Sequence, residues 1–304
     1  MVEQMHLSSG PHIRTKRDAR VIMLDVVIAL LPASVAGVYW FGLSALWVLL
    51  VSVAACVGAE ALFNVLAHKE QTIGDFSAVV TGLLLGLNLP ASVPLWQAVI
   101  GAIFAIVVVK CLFGGLGCNM VNPAVTARVF MTLAFGSLAT AAFPVDAVAG
   151  ATPLAQLADG GMPDLWDVFI GNIGGSIGET CVPALLAGGI YLLARGVITW
   201  HLPVTFIGTV FVFSLLMEGG DLNAALAWTM SGGLCIGAIY MATDYVTSPA
   251  TPWGKVIFGV SAGIITCLIR FFGVYPEGVS FAILLMNILD PYVDSWTAYR
   301  SWRR

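Results

Sequence analysis

Four groups of residues in this chain have the types and spacing to do chemistry. The first is Asp146-Ala-Val-Ala-Gly-Ala-Thr152-Pro153, where Gly150 and Ala151 are too small to crowd anything bonded to the Thr152 hydroxyl. Gly150 permits unusual dihedrals and Pro153 holds Thr152 extended, so the same four residues also make an ordinary turn. The second runs from Lys110 to Arg128 through Gly-Gly-Leu-Gly-Cys-Asn119-Met-Val-Asn122-Pro. Its glycines let backbone approach a ligand closely. Asn119 and Asn122 can read a ring that carries both donors and acceptors, or they can serve as caps of a tight turn, with Pro123 opening the next helix. The third, Ala242 to Lys255, gathers Thr243, Asp244, Thr247, Ser248 and Thr251, and its two prolines, Pro249 and Pro252, prevent a continuous helix. Asp244, close to the end of an apolar run, is its strongest member. The fourth is the set of acids inside apolar runs: Asp25, Glu60, Glu179 and Asp290. Intramembrane carboxyls mark pathways or pair helices. Glu60 and Glu179 are the candidates for an ion path, and Asp25 lies near enough to Arg20 to pair with that basic segment.

Other chemistries lack their residues. The histidines at 6, 12, 68 and 201 lie outside or at the edges of the apolar runs, away from any Ser-Asp pair, which disfavours a hydrolytic triad. No paired histidines suit haem. The cysteines at 56, 111, 118, 181, 235 and 267 form no C-x-x-C, so no metal site is expected, and each reads as a small buried apolar group. The glycine-rich stretch is not followed by Lys-Ser/Thr, which excludes a P-loop. Basic patches for nucleic acid are absent.

Positioning these groups falls to apolar helices. Hydrophobic residues make up 59% of the 304 and charged residues 10%, against about 25% charged in a soluble domain. The chain therefore reads as an all-α polytopic membrane protein in contact with the lipid bilayer. A spanning helix needs about 20 apolar residues, and ten segments qualify: 21–39, 44–66, 76–90, 94–113, 122–141, 176–195, 200–217, 224–241, 255–272 and 278–295. This divides the chain into an N-terminal segment (1–20), a first five-helix half (21–141), a loop with the Thr152 motif (142–175), a second half (176–295) and a tail (296–304). Basic residues favour the cytoplasmic side. With both termini there, that side collects Arg14, Lys16, Arg17, Arg20, Lys69, Lys110, Arg128, Arg195, Lys255 and the arginines of the tail, and the other side holds only Arg270. The Thr152 loop is then external, acidic (Asp146, Asp159, Asp164, Asp167) and free of Lys and Arg. Five spans on each side of it would give the halves opposite orientations, as in inverted-repeat transporters. The only internal echo is loose, between 114–124 and 241–251.

Five motifs then occur in one order: Ser8-Ser-Gly-Pro-His-Ile-Arg14; Phe113-Gly-Gly-Leu-Gly117 with Asn122-Pro-Ala; Asp146 with Gly150-Ala151-Thr152; Met241-Ala-Thr-Asp244 with Val246-Thr-Ser-Pro249; and Tyr275-Pro-Glu-Gly-Val279. Together they resemble the NqrB/RnfD family of ion-translocating electron-transport proteins, over essentially the whole chain. The resemblance implies ten spans in two inverted five-helix halves. It also implies FMN held by a phosphoester on a threonine, which here is Thr152, in an attachment motif formed by Asp146, Gly150 and Ala151 and read by a flavin transferase. Where the family carries Ser or Thr before that glycine, this chain has Ala149. A second, non-covalent flavin such as riboflavin is implied for relatives, and Asn119, Asn122, Asp244 and Thr247 are its candidate contacts.

The function expected from the resemblance is that of a membrane flavoprotein within an Rnf-type complex of the bacterial inner membrane. It would relay electrons between ferredoxin and NAD, coupled to movement of Na⁺ or H⁺, with the Rnf proteins A, B, C, E and G as partners. No nucleotide or ferredoxin site is visible in this chain. Small neighbours suit a phosphoester on Thr152, and a covalent tether holds the cofactor at high local concentration. Three alternatives stand beside this reading: a quinone-reductase component of the same family, a small-solute channel of similar fold, and a scaffold without cofactor.

Overall fold

The computed structural model describes residues 18–135, 152–273 and 277–301. Three helices in them are long and apolar enough to cross a membrane: α1 (Ala19–Phe41), α2 (Leu43–Leu66) and α12 (Pro252–Phe272). Shorter apolar helices are α3 (Ser77–Leu87), α4 (Leu95–Ile103), α5 (Pro123–Ala134), α8 (Val182–Ala194) and α9 (His201–Met217). Between them, α6 (Pro153–Ala158) and α7 (Leu165–Ile170) are short, and α13 (Val279–Ser301) closes the bundle. The segment predicted as 224–241 is broken. α10 (Leu222–Met230) and α11 (Leu234–Ile236) meet at Gly232 and Gly233, both at φ +68°, and the chain bends there by 63°. Only glycine takes that backbone conformation without strain. All of this is a multi-pass membrane architecture, in which backbone groups must be satisfied within helices or inside protein.

Several expected spans are shorter than their apolar runs. Residues 176–181 and 88–94 are not helical. The two loops instead satisfy each other: the Ile177 N–H donates to the Leu89 carbonyl at 3.0 Å and the Gly178 N–H to the Leu87 carbonyl at 2.7 Å. A side chain on Gly178 would meet the Leu87 Cβ at 2.7 Å, so glycine is what lets these loops touch. Leu85, Leu87, Leu89, Ile177 and Ile236 are fully buried around this junction. Elsewhere small residues set helix spacing as expected in membranes. Gly259 and Gly263 of α12 leave room for Thr205 and Thr209 of α9, and Gly188 of α8 abuts the Ala29 carbonyl of α1 and the Tyr240 hydroxyl.

Two helices widen into π turns. α4 continues as Phe104–Cys111, where the Leu112 N–H reaches back five residues to the Val107 carbonyl (3.0 Å). α11 continues as Gly237–Met241, with Ala242 bonded to the Gly237 carbonyl (2.8 Å). Each π segment leads into one of the two polar loops singled out by sequence, and each loop ends in a capped, proline-started helix (Asn122-Pro123, Thr251-Pro252). π turns inside helices concentrate at functional sites.

Candidate functional site

The two polar loops converge. A cavity of about 90 Å³, or about 780 Å³ counting the space of its open mouth, lies at the end of the bundle where α1 begins and α8 ends. Its walls are apolar on the α1 and α8 sides (Ile22, Val26, Leu192, Ile198) and polar where the π segments and loops meet (Lys110, Asn119, Asn122, Thr243, Asp244). Asn122 is built in from both ends. Its Oδ1 accepts from the Ala124 and Val125 N–H groups as the N-cap of α5, and its Nδ2 donates to the Met241 carbonyl at 3.2 Å, across the interface of the two loops. Asn119 donates to the Val121 carbonyl at 3.1 Å and to Asp244. Burial raises the Asp244 carboxyl above the usual carboxylate range, opposed by hydrogen bonds from the Val246 and Tyr245 N–H groups, Thr247 and Asn119.

Thr247 departs from expectation. It is 1% exposed and sits behind Asp244, to which its hydroxyl donates at 3.3 Å, and it does not line the cavity. Its backbone carbonyl accepts from Asn287 of α13, whose side-chain oxygen accepts from the Asn122 N–H. Thr247 therefore braces the wall. A pair of proline-bent turns could place it on either side of the loop, and the sequence carries no signal to choose.

Lys110 was visible as a flanking charge, but the structure moves it into the site. On the π segment it is 3% exposed, lines the cavity, and donates to both Glu60 oxygens (2.9 and 3.0 Å) and to the Ser77 hydroxyl (2.5 Å). Glu60, 2% exposed, also accepts from Thr72 at 2.6 Å. The pair explains how two opposite charges persist inside an apolar bundle: each desolvated charge is matched by the other, and Thr72 and Ser77 add further hydrogen bonds. Glu60 is thus a bonded member of the cavity wall's support, not an isolated carboxyl.

Glu179 belongs to a different place. It lies in the loop before α8, 8% exposed, beside Gly233 at the α10–α11 break. Around it are two buried arginines. Arg128 of α5 pairs with Glu277 at 2.7 Å, and Arg270 of α12 donates to the carbonyls of Trp228, Ser231 and Gly232 (2.6, 2.9 and 3.0 Å). Arg270 thereby satisfies the carbonyls that the broken helix leaves open. Counting from the cap at Thr251, Arg270 stands about 28 Å along α12 at 1.5 Å per residue, toward the opposite end from the cavity. Among the described residues, Glu60 and Glu179 share no partner. Asp25 corrects another expectation: among the described residues it bonds Arg195 at 3.2 Å and Tyr191 at 2.9 Å, and not Arg20. Asp290 has one buried carboxyl oxygen without a partner among the described residues.

Thr152 is half-buried and caps α6, its hydroxyl oxygen accepting from the Ala155 N–H at 3.2 Å. An ester oxygen at the same position could still accept that bond, so the cap is compatible with a substituent. Asp146, Ala149, Gly150 and Ala151 lie outside the described residues, as do Arg14, Lys16, Arg17, Arg303 and Arg304. α6 packs on α10, and Leu154 fills the space above Gly232 beside Arg270. The Thr152 segment is therefore seated on the Arg270 end of the bundle.

Comparison with known proteins places this geometry. The model of the NQR2, RnfD, RnfE family matches residues 6–303. The chain is similar to the D component of the Na(+)-translocating ferredoxin:NAD(+) oxidoreductase complex of Acetobacterium woodii, with 45% identity over 97% of this chain and 94% of the relative. It is 40% identical to the D component of the proton-translocating ferredoxin:NAD(+) oxidoreductase complex of Clostridium ljungdahlii, over 96% and 94%. It is 37% identical to the D component of the ion-translocating oxidoreductase complex of Stutzerimonas stutzeri, over 93% and 92%.

Proposed function

The chain belongs to the NQR2, RnfD, RnfE family and is one component of a multi-protein ion-translocating oxidoreductase complex; given that membership, we propose that it carries flavins at two separated sites and relays electrons between them within an Rnf-type complex. The outer site is FMN esterified through its phosphate to Thr152, attached by a flavin transferase. The inner site is a non-covalent flavin in the cavity. Ten spans in two inverted halves, with the termini cytoplasmic and Thr152 external, complete the reading. The Rnf proteins A, B, C, E and G are its partners, ferredoxin and NAD the electron donor and acceptor, and Na⁺ or H⁺ the coupled ion.

The observation that carries the reading is the separation itself. The cavity and the Thr152 segment lie toward opposite ends of the bundle, with the apolar Leu87–Ile177 junction between them. A flavin supplies one- and two-electron chemistry; the protein supplies position and electrostatics. In the cavity, the apolar walls of α1 and α8 suit the ring faces. Asp244 and Asn119 offer an acceptor and an amide to the ring edge, and Lys110 offers a positive charge. Asn122 is already bonded on both sides of its amide, so it holds the two loops together. At Thr152, the side chain is half-buried at the start of a helix, and among the described residues its hydroxyl has no buried acceptor to be displaced for esterification.

The test is direct. The protein is purified from its native membrane, run on a denaturing gel and viewed for flavin fluorescence, followed by mass spectrometry of the peptide containing Thr152. A fluorescent band with FMN-sized added mass on Thr152, lost in Thr152→Ala, is expected. A dark band with an unmodified peptide overturns the outer site.

A further inference from the structure

We propose that Lys110 is a shared cation: it leaves Glu60 for the cavity when the cavity's occupant gains negative charge, and Glu60 then takes up one monovalent cation from the adjacent aqueous edge. This deepens the inner-flavin reading above and rests on it. Three observations carry the inference. The Lys110 ammonium has three N–H donors, and all are committed, two to Glu60 and one to Ser77. An anion in the cavity can be met by Lys110 only if one of these bonds, to Ser77 or to Glu60, is given up. Second, Lys110 and Ser77 both belong to the cavity wall, and among its described lining residues Lys110 is the sole cation and Asp244 the sole acid. Negative charge arriving in the cavity therefore has one counter-charge to draw on. Third, Glu60 is tied to the exterior. Its Oε1 accepts from Thr72, which accepts from Asn64, and Thr72 belongs to an exposed loop.

Where Lys110 turns from Glu60 to the cavity, the electrostatics call for an exchange. Removing one partner of a buried pair leaves an uncompensated charge. With a flavin bound there, one electron from the complex's one-electron carriers would put one negative charge in the cavity, and Lys110 would pair with it. The Glu60 carboxylate, left alone, gains one proton or Na⁺ from the aqueous phase beside Thr72. Charge inside the site is conserved, and reoxidation reverses both steps. The titratable groups facing Glu60 are Lys110 and Cys111 of the π segment, Cys56 one turn away on α2, Lys69 of the following loop, and Asp75, which accepts from Ser77. Of these only Lys110 bonds the Glu60 carboxylate, so it alone can release it.

The experiment is spectroelectrochemical titration of the non-covalent flavin in the intact purified complex, across pH and Na⁺ concentration, for the wild type, E60Q and the charge-neutral double variant E60Q/K110Q. The wild-type potential should fall by about 59 mV for each tenfold drop in the cation that is taken up, the value for one cation per electron. E60Q should lose that dependence while keeping a high potential. The double variant should favour the reduced form at least tenfold less than E60Q, a further drop of about 59 mV. An unaltered cation dependence in E60Q, or equal potentials in E60Q and the double variant, overturns the exchange. A complex that releases no flavin on acid denaturation overturns the inner-flavin reading and the exchange with it.

Discussion

Replacing Lys110 by Met should be among the most damaging single changes in the bundle, and the same change beside Glu60→Gln should be tolerated. Both side chains are almost fully buried and lie 2.9 Å apart. At that distance two unit charges interact by about 5 to 6 kcal/mol at an effective dielectric constant of 20. Stranding one buried partner typically costs about 3–5 kcal/mol. The stranded carboxylate can escape by taking a proton, and protonating a free glutamate at pH 7 costs about 3 to 4 kcal/mol. Both routes give a loss of about 3–4 kcal/mol for Lys110→Met at pH 7. Because the escape is by protonation, the loss should shrink as the pH is lowered from 7 to 5, by about 1.4 kcal/mol per unit. Lys110→Met/Glu60→Gln removes the charge while leaving an oxygen for the Thr72 hydroxyl, and should lie within about 1–2 kcal/mol of the wild type. The assay is a double-mutant cycle on reversible unfolding in mixed detergent micelles, followed by circular dichroism at two pH values. Single losses that simply add in the double variant, or a Lys110→Met loss independent of pH, would refute the reasoning.

Arg270→Met should cost more than about 3 kcal/mol in the same assay, since it leaves the Trp228, Ser231 and Gly232 carbonyls without their donor at about 1–3 kcal/mol for each buried group; Arg270→Lys should recover only part. Asp244→Asn should flatten the stability–pH curve. The Asp244 carboxyl is raised by burial, so the folded state binds its proton more tightly than the unfolded chain. That contribution is complete below the ordinary value of about 3.9 and is lost as pH rises through the folded value. A slope unchanged in Asp244→Asn over that window counts against it. Gly178→Ala should destabilise by about 1–3 kcal/mol because its Cβ meets the Leu87 Cβ at 2.7 Å and the Leu87 carbonyl at 3.0 Å, and hydrogen exchange at the Ile177 and Gly178 amides should speed up.

Much of this protein is settled by composition and local order. Long apolar runs must become helices because a backbone in lipid has no other partner, and Pro123, Pro153 and Pro252 each start a helix where turn chemistry places them. The glycine-asparagine loop and the Asp244 loop were identifiable as places where chemistry could gather, since irregular polar backbone survives only beside a cavity or protein. Tertiary structure alone decided the partners. Lys110 finds Glu60 fifty residues away, Asp25 finds Arg195 at a separation of 170, and Arg270 caps a helix break 38 to 42 residues earlier. Such pairings depend on the depth and rotation of one helix against another, and a π turn alters that rotation without any mark in the residue pattern. The same cause put Thr247 behind the cavity wall and Lys110 in it. It also let the ends of two apolar runs, 88–94 and 176–181, pair with each other in place of extending as helix.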